Sequence, residues 1–265
     1  MSTVTSQDGT RIAYTKQGAG PTLILVSGAL NDGSENTPLA EVLAETFTVV
    51  NYSRRGRPPC GDTAPYDIRR EIEDLAALGT TAAGGPLHLY GVSSGGALAL
   101  EAAAAGLPVA RVAVYEVPYQ VGAEALGRWK EHVAALAGAS EPGEMIALFM
   151  RLAGSSDDQI AEARRSPAWA QVEPIAHTLA YDAACLGSGP VPRQTLARVT
   201  QPTLVATGAV LDPHMGRLRP GFFDDAADLI VEHLPDAQRR VLEGQSHVAD
   251  PQVVAPVLRT FFDAG

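Results

Sequence analysis

Residues 87–103 read LHLYGVSSGGALALEAA. An apolar run breaks at Gly91, a serine stands at 93, a glycine follows at 95, and alanine-rich sequence then resumes. A strand that turns this sharply into a helix leaves no room for a β-carbon at 91 or 95, and it lifts the Ser93 hydroxyl clear of the backbone. The unbonded N–H groups at the start of the helix then favour negative charge forming beside that hydroxyl. The plain alternative is a glycine-rich turn. The strand before and the helix after favour a nucleophile.

A serine hydroxyl attacks poorly until a base removes its proton, and histidine has the pKa for that task. Of six histidines, His247 in LEGQSHVADP falls between the last strand-like and the last helical segment. His214, beside Asp212, competes with it. His88 lies in a strand, His132 and His177 in helical stretches and His233 near a helix end, where packing or exposure accounts for them. The base in turn needs a carboxylate to fix its tautomer. Glu116 in VAVYEVPY and Asp212 in PTLVATGAVLDPHM both stand at strand ends. Asp212 also suits a turn before Pro213. Glu116 follows five mostly apolar residues at a strand's carboxyl end, where a charge needs a reason. Glu116 is the preferred acid and Asp212 the alternative.

The elements that must position these groups follow from patterning. MSTVTSQ and TRIAYTK flank Asp8-Gly9 as a hairpin. TLILVS, FTVVNY (47–52), LHLY and ARVAVYE (110–116) read as strands, with helices over 35–46, within YDIRREIEDLAALGT to near Gly79, and over 94–105. From Pro118 to about Leu196 strand-like runs give way to helical ones. Alternation resumes with PTLVATGAV (202–210), a helix near 222–233, AQRRVLEG (237–244) and a closing helix over 251–263. Strands alternating with helices predict an α/β fold with a mostly parallel, doubly wound sheet. Core segments 1–118 and 196–265 enclose 119–195, read as an inserted helical lid because no long linker borders it.

Composition narrows the function classes. The 265 residues carry 46 % hydrophobic and 19 % charged side chains, which suits a large core. A net charge of −10 and short, separated basic clusters (SRRGR at 53–57, RLR at 217–219) argue against a nucleic-acid surface. SRRGR itself reads as a solvated loop near the site's mouth in preference to a carboxylate clamp. Cys60 and Cys185 are the two cysteines and neither has metal-ligand spacing, so no metal or cofactor is expected. No signal segment or apolar run of membrane-spanning length is visible, and a cytoplasmic protein without a membrane partner is expected.

The hairpin, the glycine-bearing loop after the first buried strand, the elbow GVSSG, the helical insertion and the late histidine occur in an order that resembles the α/β-hydrolase superfamily. GVSSGGALALEAA followed by VAVYEVP further resembles a group that includes zearalenone lactonase and related actinobacterial hydrolases, and that resemblance implies an acid at Glu116. It also implies an oxyanion site from the N–H of Ser94 and one from LVSGALN, at Gly28 or Ala29, although Ser27-Gly28 stands where many relatives have His-Gly. The lid is rich in large side chains (Trp129, Met145, Phe149, Met150, Trp169 and Tyr181, with Tyr119 at its base); Trp169 and Tyr119 are the expected pocket residues. The expected activity is cofactor-independent serine hydrolysis of an ester or lactone of a mostly apolar small molecule, with a homodimer as the oligomer allowed for. C–C hydrolysis, perhydrolysis, a biosynthetic cyclase step, or a small-molecule receptor on the same fold are the alternatives.

Overall fold

In a computed structural model the chain is described over residues 1–81 and 87–263. The hairpin forms from β1 (Ser2–Thr5) and β2 (Arg11–Gln17), paired antiparallel with Ser2 opposite Tyr14. Its turn is closed by Asp8, whose Oδ1 accepts from the Thr10 N–H, and by Gly9 at φ +86°. The buried runs become β3 (Thr22–Val26), β4 (Thr48–Tyr52), β5 (Leu87–Val92), β6 (Arg111–Tyr115) and β7 (Thr203–Gly208), and the sheet ends at β8 (Ala237–Leu242). Among the described residues these make one eight-stranded sheet in the order β1-β2-β4-β3-β5-β6-β7-β8. β2 is antiparallel to β4, and from β4 to β8 every pairing is parallel.

Period-two alternation divides the core. Ile24 and Val26 face one side with Leu89, Val112 and Val114, while Leu23 and Leu25 face the other with Tyr90, Ala113 and Tyr115. The first side is covered by α2 (Ile68–Thr80), α3 (Ser94–Ala104) and α10 (Phe222–His233). The second is covered by α1 (Thr37–Leu43) and α11 (Pro251–Asp263). Helices on both faces explain why the central strands read as unbroken apolar runs. The helix expected over 35–46 is shorter; a 3-10 turn at Ser34–Asn36 precedes α1.

Between β6 and β7 the chain forms α4 (Ala123–Gly138), α5 (Pro142–Leu152), α6 (Asp157–Ala163), α7 (Pro167–Val172), α8 (Leu179–Leu186) and α9 (Arg193–Leu196). Ile146, Ile160, Trp169 and Ala176 give this insert a small core of its own, and α8 packs on α3. Among the described residues no helix is long and apolar enough to cross a membrane.

The SRRGR segment is not a solvated loop. Arg54, Arg55 and Arg57 are at most 1 % exposed. Arg54 bonds to Glu71 and Arg55 to Asp74, a buried pair of carboxylates one turn apart on α2, while Asp8 and Asp182 come from the hairpin and the insert. Burial pushes the Glu71 carboxyl upward, but Arg54 overrides this and holds it below the ordinary carboxylate value. The partners lie 17 to 128 residues away, so local patterning could not reveal them.

Candidate active site

Ser93 ends up at φ 56°, ψ −126°, in the position that caps α3, yet its side chain makes no capping bond. The hydroxyl is therefore not consumed by the helix it precedes. A β-carbon on Gly91 would run into the carbonyl of Gly95, and one on Gly95 would lie 2.5 Å from the Ser27 oxygen. One on Gly28 would come within 3.1 Å of Ser93 Cβ, which fixes how closely the loop after β3 faces the elbow. The described non-glycine residues at positive φ are Leu30, Ser93 and Glu116. All three sit at the carboxyl edge of the parallel strands, and left-handed backbone at such residues is held by surrounding structure at a cost of order 1–3 kcal/mol each.

The Ser93 N–H donates to Tyr115 O and the Glu116 N–H donates to Ala206 O, so the ladder β5-β6-β7 continues into Ser93 and Glu116. Glu116 is 3 % exposed. Its Oε1 accepts from the Gly208 N–H at 2.9 Å, and its Oε2 lies 2.7 Å from His247 Nδ1. A carboxylate accepts, so this contact puts the imidazole proton on Nδ1 and leaves Nε2 as a base. The loop carrying His247 is held by Tyr115, whose hydroxyl donates to Ser246 O at 2.6 Å, and by the Val210 N–H donating to Gln245 O at 2.9 Å. Phe223 stacks on the imidazole, 5.1 Å between ring centres and 15° from parallel. Ser93, Ser94, Ala29 and His247 line one cavity.

Asp212 stands elsewhere. Its Oδ1 accepts from the His214 N–H and closes the 3-10 turn Pro213–Met215, the local role open to an aspartate before proline. The geometry thus joins His247 to Glu116 and not to Asp212.

A sequence profile described as the alpha/beta hydrolase family matches residues 23–257. The chain belongs to this family. An alpha/beta hydrolase from Sphaerobacter thermophilus DSM 20745 shares 40 % identity and a TM-score of 0.82, over 98 % of this chain and all of that one. The esterase RhEst1 from Rhodococcus sp. ECU1013 shares the fold at 20 % identity and a TM-score of 0.71, covering 99 % and 98 % of the two chains. The uncharacterized hydrolase YraK of Bacillus subtilis (strain 168) is 30 % identical over 96 residues, which is 35 % of this chain and 35 % of that protein. The match therefore spans about a third of that curated relative's length.

The cavity encloses about 770 Å³, its open mouth included. Trp129, Phe149, Leu179, Phe222 and Phe223 make its walls mainly apolar, with Gln120, His132 and Asp182 as polar points. The two expected pocket residues are not among them. Tyr119 is 1 % exposed and packs in the core between sheet and helices. Trp169 belongs to the insert's own core; its indole N–H donates to Glu173 and Arg164 lies over its ring. Residue type marked both as large and apolar, but not which way each helix turned them. The same list of large residues held Trp129 and Phe149, which do reach the cavity. Position in a helical stretch leaves His132 to packing or exposure; burial pushes its pKa down, and the ring also forms cavity wall. Its spacing of three from Trp129 places both on one face of α4, and that was the signal available.

Cys60 and Cys185 are free thiols. Among the described residues no group of three or more His, Cys, Asp or Glu side chains stands together as a metal site.

Proposed function

We propose that this protein is a serine hydrolase that cleaves a carboxylic ester or lactone of a mostly apolar small molecule. The observation that supports this reading is the 2.7 Å contact between His247 and the buried Glu116, on one cavity with a serine held at a strand-to-helix corner. In this reading Nε2 of His247 takes the Ser93 hydroxyl proton as Oγ attacks the carbonyl carbon. Negative charge moves to the carbonyl oxygen, which accepts from the N–H of Ser94 and from that of Gly28 or Ala29. Collapse breaks the bond to the alkoxide, which leaves with the proton from His247. Water, deprotonated by the same nitrogen, then attacks the acyl-enzyme, and the acid departs as Ser93 recovers its proton. Glu116 stabilises the imidazolium in both halves.

The apolar walls suit a hydrocarbon or aromatic acyl or lactone body. Residues 119–195 supply Trp129, Phe149 and Leu179 to those walls, which suits a lid over the site. The test compares wild type with Ser93→Ala on aryl esters, alkyl esters and lactones. Hydrolysis by wild type that is lost in Ser93→Ala is expected, and the preferred panel member defines the pocket. A wild type inactive on the whole panel, or an equally active alanine variant, overturns the reading.

A further inference from the structure

The two peptide units that carry the Gly28 and Ala29 N–H groups are gripped by buried arginines. Each N–H shares a planar peptide with the preceding carbonyl and points away from it. Holding the Ser27 carbonyl therefore aims the Gly28 N–H, and holding the Gly28 carbonyl aims that of Ala29. Arg54 Nη1 donates to Ser27 O at 3.3 Å. Arg57 Nη1 donates to Gly28 O at 2.6 Å and to Asn31 O at 2.9 Å. Both guanidinium groups converge on one carboxylate. Arg57 Nη2 reaches Asp182 Oδ1 and Oδ2 at 2.8 and 2.9 Å, and Arg54 Nη1 reaches Oδ1 at 2.7 Å. The Ser94 hydroxyl donates to the same Oδ1 at 2.7 Å. Asp182 lies on α8, in the insert, and is 4 % exposed.

We propose that Asp182 is a positioning residue for the oxyanion site, setting both sources of amide donors at once: Ser94 directly, and the 27–31 loop through Arg54 and Arg57. The proposal rests on the serine-hydrolase reading. Seating of the insert then fixes the site's electrostatics, and a chain whose α8 is displaced loses transition-state stabilisation before it loses substrate binding. Arg54, Arg57, Glu71 and Asp182 form a charge-balanced buried set, so Asp182→Asn leaves one positive charge in excess and frees Arg57 to leave the Gly28 carbonyl.

The test measures kcat, KM and inhibition by an aryl trifluoromethyl ketone, which forms a tetrahedral adduct, on the full chain with an aryl ester and per titrated active site. Asp182→Asn is expected to lower kcat by about 10- to 100-fold, a part of the loss seen when one oxyanion donor is removed, with KM changed less than about threefold. Inhibition by the ketone is expected to weaken by the same factor as kcat/KM. Ser94→Ala, which removes one arm of the carboxylate's hold and leaves the backbone N–H, is expected to move the same quantities by about three- to tenfold and covers the case in which Asp182→Asn fails to fold. Asp74→Asn is the control: it removes the charge from the buried pair with Arg55, whose side chain bonds to Asp74, Asp8 and the Arg70 carbonyl, and is expected to lower Tm while kcat per active site holds. Unchanged kcat and inhibition in Asp182→Asn, or in Ser94→Ala where the first does not fold, overturn the proposal alone, as does an equal loss of kcat in Asp74→Asn. Activity that does not depend on Ser93 overturns it together with the reading it rests on.

Discussion

Replacing Glu116 by glutamine tests the acid at the level of single hydrogen bonds. Glutamine keeps the shape and fills both contacts, but it cannot satisfy both while the imidazole proton stays on Nδ1. If its carbonyl accepts from the Gly208 N–H, its NH₂ faces His247 Nδ1, which must then be the unprotonated nitrogen. The proton moves to Nε2, and the imidazole can no longer take the serine proton. If the amide flips, the carbonyl serves His247 but the NH₂ meets the Gly208 N–H, donor against donor. In either orientation the negative charge that stabilises the imidazolium is gone. Two unit charges about 4 Å apart, at an effective dielectric of about 20, attract by about 4 kcal/mol, and this attraction exists only once the histidine is charged. Its loss corresponds to about 10³-fold in kcat, and the tautomer penalty adds to it, so Glu116→Gln is expected to fall by 10³- to 10⁴-fold. Asp212→Asn keeps the acceptor for the His214 N–H and is expected to stay within about twofold of wild type. Steady-state hydrolysis of an aryl ester, normalised to folded protein by circular dichroism, reads both. A Glu116→Gln variant within tenfold of wild type, or an Asp212→Asn variant a hundredfold slower, refutes the assignment.

Other perturbations follow from the same contacts. Gly208→Ala places a β-carbon 2.7 Å from the Tyr115 hydroxyl and against the Gln245 carbonyl, both of which hold the His247 loop; kcat is expected to fall at least tenfold while far-ultraviolet circular dichroism stays native. Phe149→Ala removes an aromatic wall, and the ratio of kcat/KM for long over short acyl esters is expected to rise, by about 15- to 60-fold for two or three additional buried methylenes at about 0.8 kcal/mol each. His88 is 3 % exposed and stacked on Phe262, and burial, helped by Arg111, lowers its pKa from 6.5 to about 4. The unfolded chain binds that proton near pH 6.5 and the folded chain only near pH 4, so Tm is expected to fall as pH drops through this window. His88→Phe is expected to flatten that fall, and an unchanged Tm profile in the variant counts against a neutral buried imidazole.

Much of the architecture is written locally. Apolar runs bounded by glycine gave the strands, one-sided spacing of Ile68, Ile72, Leu75 and Leu78 gave α2, and the loss of strand runs after Pro118 marked the insert. These signals are legible because a residue's periodicity and its turn chemistry depend on neighbours a few positions away. The GVSSG corner belongs to the same class only in part: Gly91 answers the Gly95 carbonyl that the turn itself brings close, whereas Gly95 answers the Val26 and Ser27 carbonyls of a distant segment.

What stayed open were contacts between distant segments. Glu116 and Asp212 both end strands, and only the adjacency of β6 and β7 with the path of the 243–250 loop decides which carboxylate His247 meets. The burial of Arg54, Arg55 and Arg57 depends on four carboxylates drawn from the hairpin, α2 and the insert, and a charge run looks the same in sequence whether water or Asp182 neutralises it. Trp129 lines the cavity from α4 while Trp169 packs in the insert's own core, a difference set by what each helix packs against. The sequence determines which chemistry-bearing residue types the chain carries and roughly where its local elements lie; tertiary packing decides which charges meet, because those pairings are set by distances in space that have no counterpart in separation along the chain.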